Sequence, residues 1–343
     1  MESASIVFWS AASPQIGLGH LFRCLALAQE LRGVAECSFF LSYANARIEQ
    51  VLHSEGFPYY FGEPRDFTTT FGRMSPNMLV IDSPFLPADA VVSIRKTITE
   101  LAVVVLSDQS PTAPEADIVF EPHVVPEWRL PRKASVQEIY QGTDYWILRR
   151  AFDQWLVQTR EVSENANRVL VSMGGTDFFK TTIPVTRILL SSLPQARIEV
   201  VCGPLFPESD KLAALAREAG GRLSVFRAPE NMPELMWSAD MAVTAAGYSA
   251  YEFAALGVPM ILWPVEDHQH LTARALAERG CGVVADPDVL PRAVTSLAAD
   301  ASARKQMAQA GRALVHGRGR ERVTEILLRA LSRRRTVATE VQL

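Results

Sequence analysis

The amino-acid sequence predicts an α/β protein of doubly wound, Rossmann-like domains that face each other across a cleft. Short apolar stretches such as Ile6–Trp9 alternate with helical stretches along the chain, as in parallel sheets that helices cover on both faces. A glycine-rich turn follows a strand in each half, at Gly17–Gly19 and at Gly174–Gly175. Ligands of such sheets bind outside the carboxyl ends of the strands, so both turns are candidate binding loops.

The first half of the chain predicts one domain over residues 1–150. Its strands are predicted at Ile6–Trp9, Cys37–Leu41, Phe57–Phe61, Met78–Ile81, Val103–Leu106 and Ile118–Phe120, and its helices near Leu21–Leu31, Ile48–Glu55 and Ala88–Glu100. The stretch Pro122–Gly142 is rich in proline and polar residues and has no clear period, which favours a domain edge or linker.

The second half restarts the alternation and predicts a domain over residues 151–343. Its strands are predicted at Arg168–Met173, Ile198–Cys202, Leu223–Phe226, Met241–Thr244, Met260–Trp263 and Val283–Ala285. The tail from Pro291 to Arg334 is rich in Ala, Leu and Arg and predicts a helical end to this domain. A length of 343 residues is large for one core, which supports a division in two.

The composition excludes several classes of protein. A hydrophobic content of 48% and a net charge of −4 are typical of globular proteins and give no electrostatic basis for nucleic-acid binding. No signal peptide or transmembrane segment is recognisable. The four cysteines are scattered, which indicates reduced, buried thiols in the cytoplasm. The composition leaves the oligomeric state open.

The segment SIVFWSAASPQIGLGHLFRCLALAQELR contains the first group of candidate site residues. Gly17 and Gly19 allow a ligand to approach the backbone closely, and the helix that follows directs free N–H groups at an anion. His20 stands at the helix start, where it is either a general base, since histidine titrates near neutral pH, or a capping residue. Asp82 follows an apolar strand and either lines a sugar pocket or caps a helix.

The segment AAGYSAYEFAALGVPMILWP, followed by EDHQH, contains the second group. Gly247 and the helix start offer backbone donors to a diphosphate, and Ser249 adds a hydroxyl. Glu252, on the first turn of this helix, suits the diol of a ribose; the alternative is a solvated helix residue. His268 and His270 have no third ligand at a metal-binding spacing, so no metal is expected.

Four segments together resemble one enzyme family. SPQIGLGHLFRCLALA, YWILRRAF, VLVSMGGTD and AAGYSAYEFAALGVPMILWP are similar to PseG/SpsG-type UDP-sugar hydrolases, which are related to MurG-like GT-B glycosyltransferases. The resemblance implies a GT-B-like fold and hydrolysis of a UDP-linked amino or deoxy sugar at its anomeric carbon. The products would be UDP and free sugar, as in pseudaminic (nonulosonic) acid biosynthesis. It implies no cofactor, with the nucleotide sugar as the small-molecule partner.

The resemblance also implies roles for single residues. His20 matches the catalytic base, Glu252 the acid that binds ribose, and Gln269 a polar residue of the sugar pocket. The residues predicted to bind substrate are Gly17, Gly19, Asp82, Gly174, Gly175, Gly247, Tyr248, Ser249, Glu252, His268 and Gln269.

The chain departs from this family on the sugar side. Ser10–Ala12 stands where an acidic residue is usual, Ser83–Phe85 lacks a tyrosine that often follows the aspartate, and His268 replaces an asparagine. These departures leave the identity of the sugar open. Two other functions remain: an inverting GT-B glycosyltransferase with a UDP-sugar donor, and a non-catalytic protein that binds nucleotide sugars.

Overall fold

The computed structural model divides the chain into two compact units. Unit 1 comprises Met1–Arg150 and Arg318–Leu343, and unit 2 comprises Ala151–Gly317. The structure describes residues 3–13, 17–72, 75–84, 86–106, 115–125, 136–174, 177, 179–203 and 206–341, with side chains up to residue 333.

Unit 1 is a parallel sheet with helices on both faces. Its elements are β1 (Ala4–Ser10), α1 (Gly19–Glu30), β2 (Ala35–Leu41), α2 (Ala46–Glu55), β3 (Tyr59–Phe61), α3 (Pro64–Phe71), β4 (Met78–Asp82), α4 (Ala88–Thr97), β5 (Ala102–Val105), β6 (Ile118–Glu121), β7 (Glu138–Gln141) and α13 (Gly319–Val341). The strand order is β3-β2-β1-β4-β5-β6-β7, and every pairing is parallel. The order reverses between β1 and β4, which is the topological switch point of a doubly wound sheet.

Alternation along β1 builds the core of unit 1 on both faces of its sheet. Ile6 and Phe8 pack in a buried cluster with side chains of α1 and α13. Val7 and Trp9 point to the opposite face and pack with side chains of α3 and α4. Successive side chains of a strand point to opposite faces, so a strand buried on both faces needs a continuous apolar run, which Ile6–Trp9 supplies in β1.

The C-terminal helix α13 belongs to unit 1. One face of α13 carries Val323, Ile326, Leu327 and Leu331, which join the same buried cluster as Phe8. The prediction of a domain over residues 151–343 therefore differs from the structure at its end. The apolar face of α13 packs against the sheet of unit 1.

Two elements of unit 1 differ from the sequence prediction. Helix α3 was not predicted; it has a proline in its first turn and a capping box formed by Glu63 and Asp66. Strand β7 lies inside Pro122–Gly142, which the sequence indicated as a domain edge or linker, and it pairs in parallel with β6. β7 is an edge strand with half-exposed side chains, so it lacks the apolar run that marks the central strands.

Unit 2 repeats the architecture of unit 1. Its elements are α5 (Asp153–Leu156), β8 (Arg168–Ser172), α6 (Thr182–Ser192), β9 (Arg197–Cys202), α7 (Ser209–Glu218), β10 (Leu223–Arg227), α8 (Met232–Ser238), β11 (Met241–Thr244), α9 (Tyr248–Leu256), β12 (Met260–Leu262), α10 (Asp267–Glu278), β13 (Val283–Val284), α11 (Leu290–Ala299) and α12 (Ala301–Leu314). The parallel sheet has the order β10-β9-β8-β11-β12-β13. Its switch point lies between β8 and β11.

Helices α9 and α12 approach each other closely in unit 2. A Cβ atom added to Gly311 of α12 would lie 2.8 Å from the carbonyl oxygen of Ala254 in α9. Any side chain at this position would therefore force the two helices apart.

The four cysteines, Cys24, Cys37, Cys202 and Cys281, are buried and form no disulfide. Within the described part of the chain, no helix has both the length and the hydropathy needed to cross a bilayer.

Candidate active site

The first group of polar residues lies at the switch point of the unit 1 sheet. Strands β1 and β4 are neighbours there, and Ser10 at the end of β1 is in register with Asp82 at the end of β4. Helix α1 begins at Gly19, so His20 stands in its first turn. The fold thus brings His20 and Asp82 together from positions far apart in the sequence.

His20 and Asp82 share a short hydrogen bond. The distance from His20 Nδ1 to Asp82 Oδ1 is 2.7 Å, and the side chains of His20 and Asp82 are 14% and 0% exposed. A carboxylate can only accept, so the Nδ1–H group donates to Asp82 and the lone pair of the neutral ring is on Nε2. This is the tautomer in which a histidine acts as a base through Nε2.

Arg23 donates hydrogen bonds to both oxygens of the Asp82 carboxylate. Arg23 Nη2 donates to Asp82 Oδ1 over 2.6 Å, and Arg23 Nε donates to Asp82 Oδ2 over 2.9 Å. Burial by itself raises the pKa of Asp82, but the charges of Arg23 and His20 and their hydrogen bonds outweigh it and hold the pKa below its usual value. Asp82 is therefore a buried, ionised acceptor.

Asp82 contacts His20 and Arg23, whereas the sequence predicted a contact with substrate. The sequence predicts that Asp82 binds the sugar, whereas its carboxylate is fully buried and bonded to His20 and Arg23. Sequence reasoning did not find Arg23. The available signal was an arginine three residues after His20, on the same face of α1 and beside its buried apolar residues.

The glycines before α1 shape the loop that leads to His20. Gly17 has a φ of 76°, which favours glycine, and it forms an antiparallel bridge with Ser13. Gly19 is the first residue of α1. Residues 14–16 of the predicted loop lie outside the described residues.

The second group of residues lies at the switch point of the unit 2 sheet. Thr244 at the end of β11 is in register with Ser172 at the end of β8. Gly174 follows β8 with a φ of 92°, and apart from its chain neighbours no described residue has an atom within 4 Å of where its Cβ would be. Gly175, the other predicted glycine, lies outside the described residues. The side chain of Asp177 accepts from the backbone of Thr181 and Thr182 and so caps α6.

Helix α9 begins directly at this edge of the sheet. Gly247 is its N-cap residue, in extended backbone with a φ of −101°, and Tyr248 and Ser249 of the first turn are half-buried. In the described part of the chain, no residue other than its two chain neighbours has an atom within 4 Å of a Cβ built on Gly247. Neither its backbone conformation nor its packing against the described residues therefore requires a glycine at this position.

Glu252 lies one turn further along α9 than predicted. The helix begins at Tyr248 and has no acidic residue in its first turn, so Glu252 opens the second turn. Its side chain is half-buried, between the buried Tyr251 and Phe253.

The residues predicted at the start of α10 occupy contrasting environments. Gln269 is 8% exposed, and its Oε1 accepts from the backbone N–H of Val265 over 3.0 Å. His268 is on the surface, with its Nδ1 3.3 Å from Glu266 Oε2. Gln269 thus orders the turn before the helix, and His268 pairs with a carboxylate. Among the described residues, no group of His, Cys, Asp or Glu side chains is arranged to hold a metal ion.

Comparisons with known proteins support this assignment of the fold. Residues 169–318 match the model of the glycosyltransferase family 28 C-terminal domain. The chain is 25% identical over 328 residues to the spore coat polysaccharide biosynthesis protein SpsG of Bacillus subtilis, covering 91% of this chain and 94% of SpsG. It is 28% identical over 264 residues to an uncharacterized protein of Methanocaldococcus jannaschii, covering 73% of this chain but only 53% of that relative. The chain therefore spans about half the length of the archaeal relative.

Solved structures show the same architecture. MurG of Acinetobacter baumannii superposes with a TM-score of 0.68 at 14% identity, over 96% of this chain and 100% of MurG. Anabaena HepE in complex with UDP-glucose gives a TM-score of 0.60 at 15% identity, over 94% of this chain and 99% of HepE. Together with the two parallel sheets, these similarities identify the fold of the chain as GT-B-like.

Proposed function

We propose that the chain is an enzyme that hydrolyses a UDP-linked amino or deoxy sugar at its anomeric carbon, with His20 as the general base. The hydrogen bond between His20 Nδ1 and Asp82 Oδ1, 2.7 Å long, is the observation that carries the proposal. With Nδ1 protonated, the basic lone pair of the neutral ring is on Nε2. His20 lies at the carboxyl ends of the strands, where doubly wound sheets bind ligands. A base that is oriented by a buried carboxylate is typical of enzymes that activate a hydroxyl or a water.

The second unit supports UDP as the leaving group. Gly247 leaves open space among the described residues at the start of α9, which suits a diphosphate in close contact with the helix N-terminus. Glu252, on the next turn, offers a carboxylate to ribose hydroxyls. HepE was solved with UDP-glucose, and two relatives that each match about a third of the chain are named as N-acetylglucosamine transferases.

The proposed step is a displacement at the anomeric carbon. The water oxygen bonds to this carbon while His20 Nε2 takes a proton from the water. The bond from the anomeric carbon to the diphosphate oxygen breaks, and its electron pair leaves with UDP. Backbone donors at the start of α9 stabilise the charge that develops on the diphosphate. Attack opposite UDP inverts the anomeric configuration, and the proton on His20 then passes to solvent.

Sugar transfer to a hydroxyl is the second candidate function. The family 28 match over residues 169–318 favours it, as does a relative from Rhodospirillum rubrum, a named transferase that is 33% identical over 154 residues, or 37% of this chain and 39% of that protein. In this case His20 would take the proton from the acceptor hydroxyl and every other step would be the same.

UDP release without an acceptor distinguishes the candidates. The purified chain is incubated with a set of UDP-linked deoxy and N-acetylated amino sugars, and UDP is measured over time. Rapid release in the absence of any acceptor is expected for the hydrolase. Release only after a sugar or polysaccharide acceptor is added supports transfer. Tight binding of a UDP-sugar with no release under either condition contradicts both reactions and indicates a binding protein.

His20→Asn tests the assigned base. We expect the kcat of this variant to fall by a factor of about 100 to 10,000, with the Kd for UDP unchanged in calorimetry. His53→Asn is the matched control, because His53 is exposed and lies in the last turn of α2, at the end of the helix away from the strand edge that contains His20. A His20→Asn variant that retains the kcat of the control would contradict the role of base.

A further inference from the structure

We infer that Arg23 is a positioning residue for the reaction: it fixes the carboxylate of Asp82 in the one orientation that sets the tautomer of His20. This inference rests on the proposed function of His20 as a base. It adds a third member to the pair, one that contacts Asp82 and the ring of His20 from within the protein.

The contacts of Arg23 define this role. Its guanidinium donates to both oxygens of Asp82, over 2.6 and 2.9 Å, so the carboxylate can neither rotate nor shift without breaking a bond. Oδ1, the oxygen that His20 contacts, is also the one at 2.6 Å from Arg23 Nη2. One oxygen therefore accepts from both side chains, and the position of the arginine determines where the histidine finds its acceptor.

Arg23 Nη2 also lies 3.0 Å from His20 Nδ1. The proton that Nδ1 donates to Asp82 occupies the lone-pair position of that nitrogen, so Nδ1 cannot accept from Arg23 in this tautomer. The opposite tautomer would accept from Arg23, but its Nδ1 lone pair would face the Asp82 oxygen at 2.7 Å and be repelled. As long as Arg23 holds Asp82 ionised and in place, the tautomer with Nε2 as the base is favoured.

The stability of the fold does not by itself explain the buried ion pair of Arg23 and Asp82. Arg23 is 4% exposed and Asp82 is 0% exposed, and the neighbours of Arg23 on α1 are buried apolar residues. At such a site, well-packed apolar side chains are often as stabilising as a buried ion pair, because the pair has lost its hydration. A bidentate arginine supplies fixed geometry, which apolar packing does not.

The direct test compares Arg23→Gln and Arg23→Lys with wild type in the UDP-release assay. We expect Arg23→Gln to lower kcat by about 10- to 100-fold, the range typical of residues that orient a functional histidine, with KM for the UDP-sugar unchanged. Lysine keeps the charge but cannot donate in a planar fork, so Arg23→Lys should recover only part of the loss. A raised KM at unchanged kcat would show that Arg23 binds substrate and would overturn the inference.

A double-mutant cycle separates positioning from a structural effect. If Arg23 acts through Asp82, then adding Arg23→Gln to Asp82→Asn should lower kcat by less than about threefold further. The double variant is neutral and keeps hydrogen-bonding groups at both positions, which favours folding. Independent, multiplicative losses would overturn the inference.

Arg95→Gln is the matched structural control. Arg95 forms an ion pair with Asp117 in the same unit, 2.9 Å from Nη2 to Oδ2, and has no contact with His20 among its described interactions. Its loss should lower the melting temperature and leave kcat unchanged. An equal fall in kcat in this variant would attribute the Arg23 effect to general destabilisation and overturn the inference.

The tautomer of His20 gives a measurement that does not depend on turnover. Nitrogen-15 NMR of the imidazole should show Nδ1 protonated in wild type and a mixture of tautomers in Arg23→Gln, with the His20 signals assigned by their absence in His20→Asn. If wild type releases no UDP but this change is seen, the proposed function fails while the positioning by Arg23 stands. An unchanged tautomer in Arg23→Gln overturns the inference even if the enzyme is active.

Discussion

At the scale of single residues, the assignment of function depends on which nitrogen of His20 carries the proton. Asp82 accepts from Nδ1 over 2.7 Å and remains ionised although it is buried, because Arg23 and His20 compensate the cost of burial. An ionised acceptor at this position both orients the ring and stabilises its cation during turnover.

Asp82→Asn should therefore inactivate the enzyme without abolishing substrate binding. An asparagine can present its amide N–H₂ group to Nδ1 and so stabilise the wrong tautomer, a change that lowers kcat by about 10,000-fold in a serine protease. We expect a loss on the order of 100- to 10,000-fold in UDP release, with the Kd for UDP unchanged in calorimetry. Wild-type turnover in a folded Asp82→Asn protein would contradict the role of Asp82.

The lowered pKa of Asp82 also predicts a dependence of stability on pH. The folded value lies below the unfolded one, so ionised Asp82 stabilises the fold above about pH 4, and this contribution is lost as the pH falls through the folded value. The difference in free energy of unfolding between wild type and Asp82→Asn should shrink as the pH falls below about pH 4. Urea unfolding across this range measures it, and a difference independent of pH would contradict the linkage.

Gly247→Ala separates the requirements of folding from those of binding. The backbone at Gly247 is extended, and beyond its chain neighbours the described residues leave the position of a Cβ open. We expect the free energy of unfolding to change by less than about 1 kcal/mol, the cost of replacing glycine by alanine at an N-cap. The Kd for UDP should rise by about tenfold or more, equivalent to about 1.4 kcal/mol. Unchanged UDP affinity would show that no ligand approaches this residue.

The sequence predicted part of this site and missed the rest for a physical reason. His20 and Gly247 stand in strand–turn–helix segments whose pattern is local, so their positions at the ends of strands could be predicted. The bond from Asp82 to His20 and Arg23 connects β4 to α1, and a contact between elements far apart in sequence has no local pattern. Arg23 was overlooked because an arginine in a helix is usually solvated.

At the scale of elements, the apolar central strands were predictable and the marginal elements were not. Strands β1, β4, β8 and β11 each contain a continuous apolar run, and each strand begins and ends within one or two residues of its predicted bounds. α3 contains three threonines, which have low helix propensity. Its helical conformation depends on the capping box and on packing of Phe67 and Phe71 in the core.

The contact between α9 and α12 predicts the effect of Gly311→Ala. Overpacking against the backbone of Ala254 destabilises the fold by about 1–3 kcal/mol. The higher helix propensity of alanine stabilises it by about 1 kcal/mol. We expect a net destabilisation of about 1 kcal/mol in urea unfolding, and weaker UDP binding since α9 begins at Gly247. Ser302→Ala, on the exposed face of α12, is the control and should leave both quantities unchanged. Increased stability in Gly311→Ala would show that the helices are free to separate.

At the scale of the whole molecule, each unit has its own core, and α13 completes the core of unit 1. Leu327 of α13 is fully buried among side chains of that core. Leu327→Ala should lower the free energy of unfolding of unit 1 by about 2–5 kcal/mol. We expect faster amide hydrogen exchange in β1 and β4 and unchanged exchange in β8 and β11.

Leu189→Ala is the control for this experiment, because Leu189 is equally buried in the core of unit 2. This variant should accelerate amide hydrogen exchange in β8 and β11 and leave the exchange rates in β1 and β4 unchanged. Faster exchange throughout the chain in both variants would show that the two cores unfold as one cooperative unit.

Because unit 1 is made of two stretches of chain with unit 2 between them, the order of translation differs from the order in which the cores are completed. The ribosome makes β1 to β7 before unit 2, but Val323, Ile326, Leu327 and Leu331, which cover one face of that sheet, emerge only after unit 2. Unit 2 is continuous and is free to fold as it emerges. The first-made sheet thus keeps apolar surface uncovered while all of unit 2 is synthesised, and it is the part of the nascent protein most in need of a chaperone.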